Sequence, residues 1–225
     1  MASQGKELAE PRSRLTLERV LRAAVELADE GGLEALTMRA LADKLGVAAM
    51  SVYYYASGRD DILNGILDLV VTDMETASGG AGWRAAIRNS AISAHEALER
   101  HPWACGLIMS PARIRSGRIR FMEAMLARLR EAGFSAEQTD LAYHALDSHI
   151  IGSTLWEVGY SDGSEGLEDY ASAFLRTLRE DEYPYLAEHV RQHMLPPRPS
   201  ANSFEFGLDL ILDGLERIRT TAAGR

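Results

Sequence analysis

Apolar residues recur at intervals of three and four along almost the whole chain, as in Leu17, Val20, Leu21, Ala24, Val25, Leu27 and Ala28. That period is one face of a helix, and β-branched runs or strict apolar–polar alternation are scarce. The spacing predicts an all-α protein. The first helix runs from about Thr16 to Glu30 and stops at Gly31-Gly32, because glycine supplies the left-handed backbone that ends helices. Thr37 can cap a second helix over Met38–Leu45. Gly46 then turns the chain into a short third helix from about Ala48 to Tyr54. A fourth follows from Gly58, with Asp60 and Asp61 opposing the helix dipole and Ile62, Leu63, Ile66, Leu67, Val70 and Met74 along one face. Asn64-Gly65 is a hairpin signal in isolation, but no strands flank it.

The pattern breaks at Ala77-Ser78-Gly79-Gly80-Ala81-Gly82 and resumes as a second helical body. Its expected helices are Trp83–Arg100, a short one around Trp103–Met109, Arg113–Ala132, Ala136–Val158, Leu167–Leu178, Tyr185–Met194 and Phe204 to about Arg219. Ser135 and Gln138 have the spacing of a capping box, and Pro196-Pro197-Arg198-Pro199 reads as a stiff connector. The expected organisation is an arm over 1–15, a first domain over 16–77 and a second over 83–225.

Charge has to be read by segment. The 225 residues carry 24 Lys+Arg against 33 Asp+Glu, a formal −9, which excludes a globally basic coat for nucleic acid. Residues 1–70 are themselves −3, yet Thr37–Arg59 is +2 through Arg39, Lys44 and Arg59 against Asp43, and Lys6–Arg22 is also +2. One cysteine, Cys105, leaves no intramolecular disulfide framework or Cys-rich zinc site and fits a reducing compartment. No stretch is apolar enough to span a membrane, and the N-terminus lacks a signal peptide's apolar segment, so a cytoplasmic protein is expected.

The segment Leu36–Leu63, LTMRALADKLGVAAMSVYYYASGRDDIL, carries the most specific pattern. Ala42 is small where two short helices would touch, Gly46 turns the chain four residues later, and Leu41, Leu45, Val47 and Val52 lock the crossing. This is a helix-turn-helix. Tyr53, Tyr54 and Tyr55 close its second helix just before Arg59, while Thr37 and Arg39 open the first, an arrangement suited to reading a DNA major groove with phosphate donors on both sides.

At these residues the chain resembles the TetR (tetracycline repressor) family of bacterial regulators: Leu-Thr, Arg, Leu-Ala, Leu-Gly-Val, a short variable patch, then Val-Tyr-Tyr-Tyr, Gly-Arg and Ile-Leu. The resemblance implies that Ala48, Ala49, Met50 and Ser51 face base edges and that Tyr53, Tyr54 and Tyr55 contact bases or backbone. Thr37 and Arg59 would meet phosphates, and Arg39 a base or a phosphate. Ala56 and Gly58 depart from the family pattern, which has a bulky residue and a capping Ser or Asn there. Ser57 then shifts the cap. Trp83, the His101-Pro102-Trp103 break, Ala132-Gly133-Phe134-Ser135, Gly152 and the closing Phe204-Glu205-Phe206-Gly207 look like the family's ligand-binding and dimerisation domain. Implied are a homodimer on double-stranded operator DNA and a repressor function relieved by a small-molecule effector. The helices over 136–158 and 203–219 would pair with their copies. Phe206, Leu210, Leu215 and Ile218 form one stripe, and Gly207, Gly214 and Gly152 permit close approach.

The expected effector lining is Trp103, Met109, Phe121, Met122, Met125, Tyr143 and Trp156, with Asn89, His95, His144 and Asp147 as polar groups at its rim or in its depth. An apolar lining with few polar fixers suits a lipophilic multi-ring compound. The tetracycline repressor chelates its drug's magnesium through a histidine at the end of its sixth helix. That neighbourhood here is Leu107-Ile108-Met109, which speaks against tetracycline–magnesium recognition. His189 and His193 lie four apart without a third ligand at motif spacing, so neither a metal nor another cofactor is expected. The rival from another class is an all-α small-molecule carrier or an enzyme using His144, Asp147 and His149, although no nucleophile motif or phosphate loop accompanies them.

Overall fold

Two threonines start the first two helices in the same way. The Thr16 hydroxyl accepts the Arg19 amide at 3.2 Å and Thr37 accepts that of Ala40 at 3.1 Å, each filling a donor that the first turn of a helix leaves open. The computed structural model describes residues 14–74, 82–110, 116–161, 166–196 and 202–223, and among these there are eleven helices and no strand. The arm before Arg14, the 77–81 break and the 197–199 part of the proline connector lie outside the described residues. The chain divides into two units, up to Ile66 and from Leu67.

In the first unit α1 spans Leu17–Ala35, with non-helical backbone at Gly31 and at Gly32, where φ is 68°, so its regular part ends at the expected glycine pair. Helix α2 (Met38–Leu45) closes on Gly46, whose φ of 66° is the left-handed conformation that suits glycine. Helix α3 is Ala49–Tyr53, and α4 is Arg59–Asp73. Asp61, in the first turn of α4, accepts the Ser57 amide at 3.0 Å and the Ser57 hydroxyl, so Ser57 takes part in the helix start as expected. Val20, Ala24, Leu36, Leu41, Val52, Ile62 and Ile66 form the core, and a Cβ at Gly65 would lie 2.5 Å from the Leu21 side chain, so α4 presses against α1.

The second unit contains α5 (Trp83–Arg100), α6 (Trp103–Ile108), α7 (Ser116–Glu131), α8 (Ala136–Ser161), α9 (Leu167–Thr177), α10 (Pro184–Met194) and α11 (Ser203–Ala223). Ser135 and Gln138 make the reciprocal capping box at α8, at 2.9 and 3.2 Å. Helix α5 packs against α7, α8 and α11, and buries Ile87, Ala91, Ala94 and Leu98. Its polar edge is tied to α11: Arg84 pairs with Asp213 at 2.8 Å, Arg88 with Asp209 at 3.0 Å and with Glu205, and the Trp83 indole donates to Glu216 at 3.2 Å. No described helix is long and apolar enough to cross a membrane.

Helix α8 has no single apolar stripe. It buries Leu146, Ile150 and Thr154 while exposing Leu141, Leu155 and Trp156. Helix α11 exposes Phe206, Leu210 and Ile218 but turns Leu215 into the core, which corrects the expected four-residue stripe. Gly207 is also reassigned. A Cβ there would sit 2.4 Å from the His149 ring, so this glycine serves a close approach within the chain, whereas Gly152 has open space around it.

Candidate nucleic-acid interface and ligand-binding domain

Helix α3 is five residues long, and only Val52 among them is buried. Ala48, Ala49, Met50, Ser51, Tyr53 and Tyr54 are all exposed, Met50 to 76% and Tyr54 to 85%. Such exposure of large apolar groups on a rigid short helix is a presented surface and not a core. The Tyr55 hydroxyl donates to the Leu15 carbonyl at 2.6 Å, and its ring meets Tyr54 edge-on, centroids 5.2 Å apart. Arg59 reaches back across the motif, donating to Leu36 O at 3.0 Å and Leu33 O at 2.7 Å. Tyr55 and Arg59, expected as DNA contacts, therefore make hydrogen bonds to backbone carbonyls within the motif. Arg39 projects outward with its side chain 92% exposed and only a 4.0 Å contact to Asp43. Lys44 corrects the charge count, because Glu30 at 2.9 Å and Glu26 at 3.1 Å neutralise it and hold its pKa above the ordinary lysine value. Arg14, Arg19 and Arg22 line a shallow groove together with Lys44, Glu18 and Glu26, in which Arg22 pairs with Glu18 at 2.7 Å.

The eleven expected ligand-binding residues differ in burial. Phe121, Met125, Tyr143 and His95 are buried, and Trp103, Met122 and Asp147 are half-buried. Asn89, Met109, His144 and Trp156 are exposed, so Met109 and Trp156 are not interior apolar groups. Trp156 lines an open groove with His149, Gly152 and His193. Burial, and secondarily Asp147, pushes the Tyr143 phenol up to about 12, and Asp147 lies 3.4 Å from that hydroxyl and 3.6 Å from Arg118. His144 faces Asp140 at 3.6 Å, while His149 Nε2 donates to Phe204 O at 2.9 Å, so His144, Asp147 and His149 point to three different partners and form no catalytic constellation. Cys105 is fully buried and its thiol is pushed up to about 11 by burial, which suits packing and not redox sensing.

Family models match both units: that of the bacterial regulatory proteins, tetR family, over residues 20–66, and that of the tetracyclin repressor-like C-terminal domain over residues 76–219. This chain belongs to the TetR family. The HTH-type transcriptional repressor DrrR1 of Streptomyces coeruleorubidus is 32% identical over 216 residues, covering 92% of this chain and 79% of the relative. The class C tetracycline repressor of Escherichia coli is 29% identical over 93% of this chain and 94% of its own. Among solved structures, the TetR-type transcriptional regulator SCO7222 of Streptomyces coelicolor has a TM-score of 0.75 and 27% identity over 92% of this chain and 100% of that one. The protein is thus a TetR-type transcriptional regulator with an N-terminal DNA-binding helix-turn-helix, and the enzyme reading finds no support in these relatives.

Two features of this TetR regulator escape sequence reading. Ser90, on α5, is buried with its hydroxyl unpartnered among the described residues. Such a group costs about 1–3 kcal/mol unless something else completes it. The other is a joint in the second unit: the Asp68 carboxylate, near the end of α4, accepts the Gly117 amide at 2.5 Å and the Ser116 hydroxyl at 3.2 Å, at the start of α7. A Cβ at Gly117 would lie 2.7 Å from the same carboxylate, so only glycine permits the contact. Arg120 adds a bond to Thr72 at 3.3 Å. The joint depends on partners 48 and 49 residues apart, and neither feature leaves a mark in local spacing.

Proposed function

We propose that this chain is a homodimeric repressor that reads a palindromic operator with α3 and is released by a lipophilic small molecule. The observation that carries the reading is α3 itself: one anchoring side chain, Val52, beneath six exposed ones, Ala48, Ala49, Met50, Ser51, Tyr53 and Tyr54. Thr37, Arg39 and Arg59 flank them as phosphate contacts. The exposed Leu155, Trp156, Phe206, Leu210 and Ile218 on α8 and α11 support a two-fold interface, which would place half-sites about one helical turn, roughly 34 Å, apart.

The effector reading is supported by the match to the tetracyclin repressor-like C-terminal domain, in which Phe121, Met125 and Tyr143 are buried apolar or aromatic groups and Ser90 is a buried hydroxyl unpartnered among the described residues. Helix α4 crosses from one unit into the other, since Ile66 and Leu67 are consecutive residues within it. Movement of α7 on ligand binding would be handed to α4 through Asp68 and Thr72. A ligand that favours the displaced state weakens DNA binding by the same factor that DNA weakens the ligand.

The test is selection of a random duplex pool with the purified protein at a fixed, stated salt concentration. A recovered palindrome with half-sites one turn apart is the expected result and provides a probe for effector release. A pool without enrichment at low salt overturns the reading helix.

A further inference from the structure

The side chains that α3 offers to a groove are short of hydrogen-bonding capacity. Ala48, Ala49, Met50, Ser51, Tyr53 and Tyr54 are exposed, and none of the six is Arg, Lys, Asn or Gln. Those four types make the paired hydrogen bonds that single out guanine, at O6 and N7, and adenine, at N6 and N7, in the major groove. A serine or tyrosine hydroxyl both donates and accepts, so it bonds to either kind of base edge with little discrimination. The cations of the motif do not fill the gap on this helix. Arg59 is engaged by Leu33 O and Leu36 O, Lys44 by Glu26 and Glu30, and Arg39 stands on α2.

Helical geometry shows which side chains lead. At about 100° per residue, Met50 and Tyr54, each two positions from Val52, lie about 160° around the axis from it, on the side opposite that buried anchor. Tyr54 caps α3 with right-handed helical backbone, so the two side chains, four apart, share one face. Met50 is 76% and Tyr54 85% exposed, and the Tyr54 ring is set edge-on to Tyr55. The leading edge of α3 is therefore a thioether beside an aromatic ring, flanked by alanines and a serine too small to hold the helix off a base edge. An apolar edge matches one feature of the major groove, the C5-methyl group of thymine, which every other unmodified base lacks. An unbranched, polarizable thioether moulds itself around such a group.

We infer that each operator half-site holds a thymine whose C5-methyl group is read by Met50 against the Tyr54 ring. The inference rests on α3 being the reading helix, and it makes Met50 a specificity-determining residue through apolar contact, with no hydrogen bond to the base it selects. Arg39 and the other flanking donors then set position on the backbone, while the methyl contact sets sequence.

The test uses the palindrome recovered by the selection described above. Its thymines are replaced by 2′-deoxyuridine, which lacks only the methyl group, one symmetry-related pair at a time, and binding is read by anisotropy at one salt concentration. Burial of a methyl group corresponds to about fourfold in affinity, so the pair that is read should weaken binding about 15-fold when both half-sites are changed. Met50→Ala should bind the thymine and deoxyuridine duplexes equally, whereas Met50→Leu, still apolar and of similar size, should keep most of the difference. Circular dichroism of both variants should match that of the unaltered protein. A palindrome in which no replacement weakens binding by more than about twofold overturns the methyl contact and leaves α3 as the reading helix. A Met50→Ala variant as sensitive to deoxyuridine as the unaltered protein does the same. Failure to enrich any palindrome removes the reading helix itself, and the inference with it.

Discussion

Helices α3 and α8 use apolar side chains in opposite ways. Helix α3 needs one, Val52, to seat a five-residue element whose other side chains face outward, and Tyr55 and Arg59 hydrogen-bond to backbone carbonyls within the motif. Helix α8 has 26 residues, with apolar groups on its core face and on its free face alike. In α3 small and aromatic groups stand exposed on a rigid support, as the proposed reading of DNA requires. In α8 the free surface is of the kind that a second apolar surface covers. An exposed Met50 at the first and an exposed Leu155 at the second therefore have different meanings, and only the context of support separates them.

Four experiments sharpen that contrast, the largest effect first. Phe206→Asp combined with Leu210→Asp puts charges into the proposed contact face of α11 and should convert the dimer to monomer in light scattering with helicity preserved. A dimer of unaltered mass would remove α11 from the interface. Leu41→Ala, at a fully buried position beneath the reading helix, should lower unfolding stability by about 2–5 kcal/mol, whereas Met50→Ala should shift it by less than about 0.5 kcal/mol. Urea titration measures both, and equal losses would mean that Met50 is packed after all.

Third, Tyr53→Ala should weaken operator binding about 10- to 100-fold without moving the urea midpoint. Arg59→Ala should lower both binding and midpoint, because it removes donors from Leu33 O and Leu36 O. Anisotropy at one salt concentration, run beside the urea curves, distinguishes a contact from a brace. Last and smallest, Thr37→Ala should cost about 1 kcal/mol by leaving the Ala40 amide uncapped. Gly46→Ala should cost a similar amount, about 1–2 kcal/mol, because φ of 66° is strained for a residue with a Cβ. No change in either would mean that the turn relaxes.

What was legible in the sequence follows the same division. Thr37 and Gly46 bracket α2, Ser135 and Gln138 cap α8, and the Gly31-Gly32 pair ends the regular part of α1, because each signal acts within four residues of itself. The helix-turn-helix was legible for that reason, down to Ala42 and Val52 in its core. Long-range partners were not. Nothing near Lys44 reveals that Glu26 and Glu30 neutralise it, and nothing near His95 reveals Thr154 and Glu157, 59 and 62 residues on. The effector residues suffered most, since aromatic and methionine side chains at helical spacing fill a core as readily as they line a pocket, and Met109, Asn89, His144 and Trp156 are exposed. Leu215 and Phe206 belong to one helical stripe by count, yet only the packing of α11 decides which is covered.

The ties between α5 and α11 also bear on the order in which the chain is made. The motif closes with bonds between residues at most 40 apart, Tyr55 to Leu15 being the longest of those described above, so its contacts are available once the first helices have been synthesised. Trp83 and Arg88 must wait for Glu216 and Asp209, 133 and 121 residues later, in α11. Lengthening a loop from 40 to about 120 residues adds only about 1 kcal/mol of closure entropy, so the delay is one of timing and not of final stability. In a growing chain the reading head can be folded while the body that controls it is still without its closing helix.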